Sequence, residues 1–198
     1  TATPLLAVIG DSYVEAWQVR NDQAMHGLLA ARLDGRGRVY GIGTSGSPLS
    51  QYLAYADMAR REFAPQAMTF VIVGNDFDES LVKYKREPGY HYFAERGGQL
   101  VLERIDRPGQ SRAVALASKS SLAMYLRHTV GFDLRRVSAL FERDSGPSFV
   151  GNAPAAASAE RIADSQAAIA AFLGELPVRS GLEPQNILFV VDAMRPQL

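Results

Sequence analysis

Three short apolar runs, each closed by a glycine and each set off from the next by a stretch of helical periodicity, constrain this chain more than any other feature. Leu5 to Ile9 ends at Gly10, Val39 to Ile42 ends at Gly43, and Ala67 to Val73 ends at Gly74. Continuous apolar runs of this length suit strands buried on both faces, as in a parallel sheet, rather than strands with one wet face. Between the first two, Trp17, Ala24, Leu28, Leu29 and Leu33 predict a helix from Glu15 to Leu33, stopped by Asp34-Gly35-Arg36-Gly37. Between the second and third, Ser47 and Pro48 predict a cap and a first helical position. Leu49, Tyr52, Leu53, Ala56, Ala59 and Phe63 then share one face of that helix. Strand, helix, strand, helix, strand is the order of a doubly wound α/β sheet.

The remainder is less regular. Tyr90 to Phe93 and Leu100 to Ile105 flank Gly97-Gly98 and predict a peripheral hairpin. Ser121 to Val130 and Leu134 to Glu142 read as helical pieces, and Gly146 to Pro154 as a loop. Ala155 to Leu176 predicts the longest helix, with Ile162, Ala163, Ile169, Phe172 and Leu173 on one stripe, and Asn186 to Val191 a last strand. The expectation is one domain over residues 1–198. A doubly wound domain normally covers its last strand with another helix, so the native polypeptide is expected to continue beyond Leu198. From the start at Thr1, a leader removed either by processing or by design of the expressed chain is expected.

Composition narrows the function. Twenty-one Lys and Arg balance twenty-one Asp and Glu, and no basic block alternates with aromatics, so nucleic acid is not an expected partner. The apolar runs Pro4 to Gly10, Ala67 to Gly74 and Ile187 to Val191 fall short of the ~20 residues that cross a bilayer. The absence of cysteine excludes disulfides and thiolate nucleophiles; it leaves the compartment open, with a periplasmic or secreted one favoured over the cytoplasm.

The loops after the three strands are where chemistry is expected, because open α/β sheets bind ligands beyond the carboxyl ends of their strands. Gly10-Asp11-Ser12 places a hydroxyl between a strand and a helix start, where it could attack a carbonyl. Gly46 lets a backbone N–H approach an oxyanion, and Asn75 carries a side-chain amide able to donate to the same oxygen. Each residue alone is better explained by a cap or a turn. Their recurrence after successive strands favours a site.

With those residues in place the chain resembles the SGNH hydrolases, the GDSL-type esterase superfamily. Gly10-Asp11-Ser12 is similar to the family's first block, Gly43 to Leu49 to its second and Gly74-Asn75-Asp76 to its third, with Tyr13 where the family often has an apolar residue. The resemblance implies a three-layer α/β/α, flavodoxin-like fold with a mainly parallel sheet. It implies Ser12 as the catalytic nucleophile, and an oxyanion hole made by the N–H groups of Ser12 and Gly46 and the side chain of Asn75. The implied activity is hydrolysis or transfer of an acyl group from a small- or medium-chain ester, an O-acetylated carbohydrate among the candidates, with no cofactor.

The family's last block, an Asp and a His separated by two residues, has no counterpart here. His26, His91 and His128 are expected in structural or surface roles, with His91 the best internal substitute for the missing base. The catalytic His and Asp are therefore expected C-terminal to Leu198. Asp76, Asp78 and Glu79 could suggest a hard-cation site. A carboxylate-rich turn balanced by Lys83, Lys85 and Arg86 explains them without a metal. The alternative to an enzyme is an SGNH-like domain that lacks its base and binds carbohydrates or esters. A nucleotide binder ranks last, because the first loop has no phosphate-cradling glycine pattern.

Overall fold

The structure, a computed structural model, describes residues 3–106 and 158–192. In chain order the elements are β1 (Leu5–Gly10), α1 (Ser12–Glu15), α2 (Met25–Leu33), β2 (Arg38–Gly43), α3 (Leu49–Phe63) and β3 (Ala67–Ile72). Two 3₁₀ turns, Gly74–Asp76 and Asp78–Ser80, lead to β4 (His91–Arg96) and β5 (Gln99–Arg104). The long helix α4 (Ala159–Ser180), a turn at Pro184–Asn186 and β6 (Ile187–Val191) follow. The expected helical pieces at 121–130 and 134–142 and the loop at 146–154 lie outside the described residues.

Four strands form a parallel sheet in the order β2-β1-β3-β6, and β4 and β5 form a separate antiparallel hairpin. The side-chain period of two sorts the sheet residues onto two faces. Ala7, Ile9, Met68, Phe70 and Ile72 face α3 and α4, where they join Leu49, Tyr52, Leu53, Ala56, Ala59, Phe172 and Leu176 in the main core. Val8 and Val71 face the other way and pack with Val14, Met25 and Leu29. These are the three layers expected: α1 and α2, the sheet, then α3 and α4.

Helix α3 follows its apolar pattern closely, since Leu49, Tyr52, Leu53, Ala56 and Ala59 are all at most 1% exposed. Phe63, at the end of the stripe, instead meets Tyr40 edge to face at the sheet margin, with centroids 5.2 Å apart. The hairpin is only partly peripheral: Tyr92 and Phe93 are buried, and Phe93 belongs to the main core.

Several expectations are corrected. The helix expected from Glu15 to Leu33 is two separate pieces, because Ala16 adopts a left-handed φ of 50° and ends α1 after one turn. Residues 17–23 bury no apolar side chain, and Trp17 is 80% exposed, so nothing there holds a helix against the sheet. Ser47 does not cap α3; Pro48 occupies the cap position, and the Ser47 hydroxyl bonds Tyr55 Oη at 3.1 Å. In α4 the buried line is Ala168, Phe172, Leu176 and Ser180, while Ile162, Ala163 and Leu173 are exposed. Contact with α3 selects this line, and the helix continues through Pro177 to a Gly181 cap.

Candidate active site

Strand β2 lies on one side of β1 and β3 on the other, so the winding reverses across β1. The crevice outside such a reversal is where ligands bind in open α/β sheets. Ser12 follows β1 and Asn75 follows β3, on either side of that crevice, and the Gly46 loop follows β2. The register pairs Gly10 with Gly43, so the first two loops leave the sheet side by side. They approach so closely that a Cβ on Gly43 would lie 2.7 Å from the Asp11 carbonyl oxygen and 3.0 Å from that of Gly10.

Asp11 is buried and caps α1, its Oδ1 accepting from Tyr13 N at 2.9 Å. The Ser12 hydroxyl is half-buried and donates to Asp11 Oδ2 over a long 3.4 Å. A helix start with its dipole behind Ser12 is expected from sequence, but one turn sums too few peptide dipoles to supply it.

The Gly46 loop is a tight turn. Ser47 N–H donates to Thr44 O at 3.0 Å, and Gly46 carries φ 78°, a region that favours glycine. Glu15, at the end of α1, accepts from both Ser45 N (2.6 Å) and Ser45 Oγ (2.5 Å), and these bonds hold its carboxyl below the usual range. That carboxylate takes the Ser45 amide of the loop, a negative charge where a phosphate would have to sit. From the hairpin side, Tyr90 Oη donates to Ser45 O at 3.1 Å. Lys85 Nζ donates to Gly46 O at 3.0 Å while pairing with Glu79 at 2.5 Å. Lys85, Tyr90 and Glu15 are contributors that sequence reasoning missed as partners of this loop.

The Asn75 turn is fixed from below by Asp76. The Asp76 carboxyl is 1% exposed, and its Oδ2 accepts from Val73 N at 2.9 Å and Tyr52 Oη at 2.8 Å. Burial pushes its pKa up to about 8 against the opposing pull of those two bonds, with Asp11 and Glu79 adding repulsion. Burial and the Asp76 charge likewise push the Tyr52 phenol well above its ordinary range.

The three donors expected at an oxyanion, the N–H groups of Ser12 and Gly46 and the Asn75 side-chain amide, have no protein acceptor among the described residues. Their neighbours Tyr13, Ser45, Ser47 and Asp76 all spend their backbone N–H groups on protein acceptors.

The histidines are elsewhere engaged. His91 Nδ1 bonds Gln51 Oε1 at 2.9 Å, and burial, with Arg104 and Arg179, lowers its pKa. His26 Nε2 bonds Asn21 at 2.7 Å, with Nδ1 buried and unpaired against β2. His128 lies outside the described residues. The acidic cluster is spoken for by protein partners: Asp76 by Tyr52 and Val73, Asp78 by Arg161, and Glu79 by Lys85. Lys83, expected to balance that cluster, instead pairs with Glu160 and Asp164 of α4.

A cleft of about 580 Å³ runs along the outer edge of β2, between His26 on one face and Tyr40, Tyr55 and Phe63 on the other. It reaches the three loops only at Gly43 and Thr44.

Fold and site define a class: a doubly wound α/β domain presenting a serine, a positive-φ glycine amide and an asparagine amide at the carboxyl edge of one parallel sheet. Among solved structures the chain is similar to AlinE4, an SGNH-hydrolase family esterase, at 17% identity over 39% of this chain and 43% of that one, with a TM-score of 0.35. It is similar to TesA at 31% identity over 36% of this chain and 42% of that one, with a TM-score of 0.33. A variant of esterase AlinE4 aligns at 13% identity over 88% and 97% of the two chains, with a TM-score of 0.36. The match thus spans less than half the length of the first two. No family model matches the chain, and no curated protein sequence does.

Proposed function

We propose that this chain carries the nucleophile and oxyanion hole of an SGNH-type serine ester hydrolase or acyl transferase. Ser12 Oγ attacks the ester carbonyl, and the developing oxyanion is met by Ser12 N–H, Gly46 N–H and the Asn75 amide. The acyl group then passes from Ser12 to water or to a sugar hydroxyl. The observation that carries this reading is that the Ser12 and Gly46 N–H groups and the Asn75 side-chain amide, all at strand ends on one sheet edge, have no protein acceptor among the described residues. The base and its orienting carboxylate, an Asp-x-x-His pair C-terminal to Leu198, complete the triad in this proposal. The substrate is a small- or medium-chain ester, O-acetylated carbohydrates included.

The test is intact mass after fluorophosphonate treatment of the full natural polypeptide beside its Ser12→Ala variant. One adduct, lost in the variant, supports an activated Ser12; a folded parent that takes no adduct overturns the hydrolase reading. A second reading, a base-less carbohydrate- or ester-binding domain, is favoured by one fact: among the described residues the Ser12 hydroxyl bonds a carboxylate and no imidazole. An adduct-free parent that still binds an acetylated oligosaccharide supports it.

A further inference from the structure

The hairpin segment reaches back to the Gly46 loop at two points, and both are carbonyls. Tyr90 Oη holds Ser45 O at 3.1 Å and Lys85 Nζ holds Gly46 O at 3.0 Å. These carbonyls belong to the two peptide units on either side of the Gly46 Cα. No peptide bond in the described residues is cis, so the Ser45 carbonyl and the Gly46 N–H leave opposite edges of the same planar unit. Whatever grips that carbonyl fixes where the N–H points.

The grip matters because glycine leaves the turn a choice. Turns with and without positive φ at the third position differ by a flip of their central peptide, and glycine populates both. In the flipped form the Ser45 carbonyl would occupy the direction now taken by the Gly46 N–H. An acceptor would then face the oxyanion where a donor is required.

We propose that Tyr90 and Lys85 are positioning residues that hold the Ser45–Gly46 peptide in its donating orientation. The inference rests on the esterase reading above and adds to it two residues from outside the three strand-end loops. Lys85 is suited to the task because Glu79 fixes its ammonium at 2.5 Å and both side chains are about four-fifths buried. The positive charge on Gly46 O also stabilises a turn that sits beside the Glu15 carboxylate at Ser45.

The experiment compares the full natural polypeptide with Tyr90→Phe, Lys85→Met and Lys85→Arg, using p-nitrophenyl acetate turnover and the rate of fluorophosphonate labelling at Ser12. Tyr84→Phe, whose hydroxyl bonds Asp164 of α4 instead, controls for disturbance of the segment. Expected for Tyr90→Phe and Lys85→Met is a fall in kcat of about tenfold with KM held within about twofold, a fraction of the ~10²–10³ lost with an entire donor. The labelling rate should fall in step, Lys85→Arg should restore most of it, and Tyr84→Phe should match the parent. Labelling of both Tyr90→Phe and Lys85→Met at the parental rate overturns the inference and leaves the esterase reading standing. A loss confined to KM also overturns it. A parent that does not label at Ser12 removes both.

Discussion

Tyr52, in the second turn of α3, donates its phenolic hydrogen to Asp76 Oδ2 across 2.8 Å in a site from which water is excluded. The bond ties the helix that follows the Gly46 loop to the turn that carries Asn75. It also places a carboxyl where it prefers to be neutral.

That preference makes stability depend on pH with a definite sign. The unfolded carboxyl releases its proton near pH ~4 and the folded one at about 8. Between those values the folded state holds a proton that the unfolded state has lost, so stability is greatest at the acidic end. It falls by up to ~1.4 kcal/mol per pH unit as pH rises toward 8. Denaturant midpoints of the parent and Asp76→Asn across this window should show the descending slope in the parent and a flatter one in the variant. Equal slopes would remove Asp76 as the cause.

Gly43 and Gly46 should respond differently to alanine. At Gly46 the new Cβ meets nothing closer than Lys85 Nζ at 3.6 Å, so the cost is the left-handed backbone, about 1–2 kcal/mol. At Gly43 it would lie 2.7 Å from the Asp11 carbonyl, and the Ser12 loop must move to admit it. Thermal unfolding should register both. In a labelling-competent parent, Gly43→Ala should slow Ser12 labelling because it displaces the nucleophile.

Asn75→Ala removes a donor whose amide touches no protein acceptor among the described residues. Its folding stability should change little, while kcat should drop by ~10²–10³ with KM nearly constant if the amide meets the oxyanion. A variant that turns over at the parental rate would detach Asn75 from the chemistry.

Phe172 joins α4 to the sheet, with its ring 5.7 Å from Phe70 and 6.3 Å from Phe189. It is 1% exposed, so Phe172→Ala should cost about 3–5 kcal/mol, seen as a lowered urea midpoint. A loss below 1 kcal/mol would show that α4 does not depend on this contact.

Strands β1 and β3 and their closing glycines were legible because both faces of these two strands are covered, which forces unbroken apolar runs such as Leu5 to Ile9. The placement of Ser12, Gly46 and Asn75 in the loops at the strand ends was legible because each lies within four residues of such a run. The helix break at Ala16 was not, since a left-handed alanine leaves no mark in a periodic pattern. Nor were Glu15, Tyr90 and Lys85, which reach the Gly46 loop from 30, 45 and 39 residues away through bonds to backbone atoms or a serine hydroxyl. A backbone acceptor has no residue identity, so no pairing of types announces it.

Helix α3 holds both strand-end turns. The Gly46 turn runs directly into its first residues, and the Asn75 turn hangs from it through Tyr52 and through Ser80, whose Oγ accepts from Ser50 N and donates to Asp76 O. Helix α3 therefore carries the glycine and asparagine donors as passengers on one vehicle. Through Glu15 at Ser45 that vehicle is coupled to the single helical turn that begins at Ser12, so nucleophile and donors share one frame.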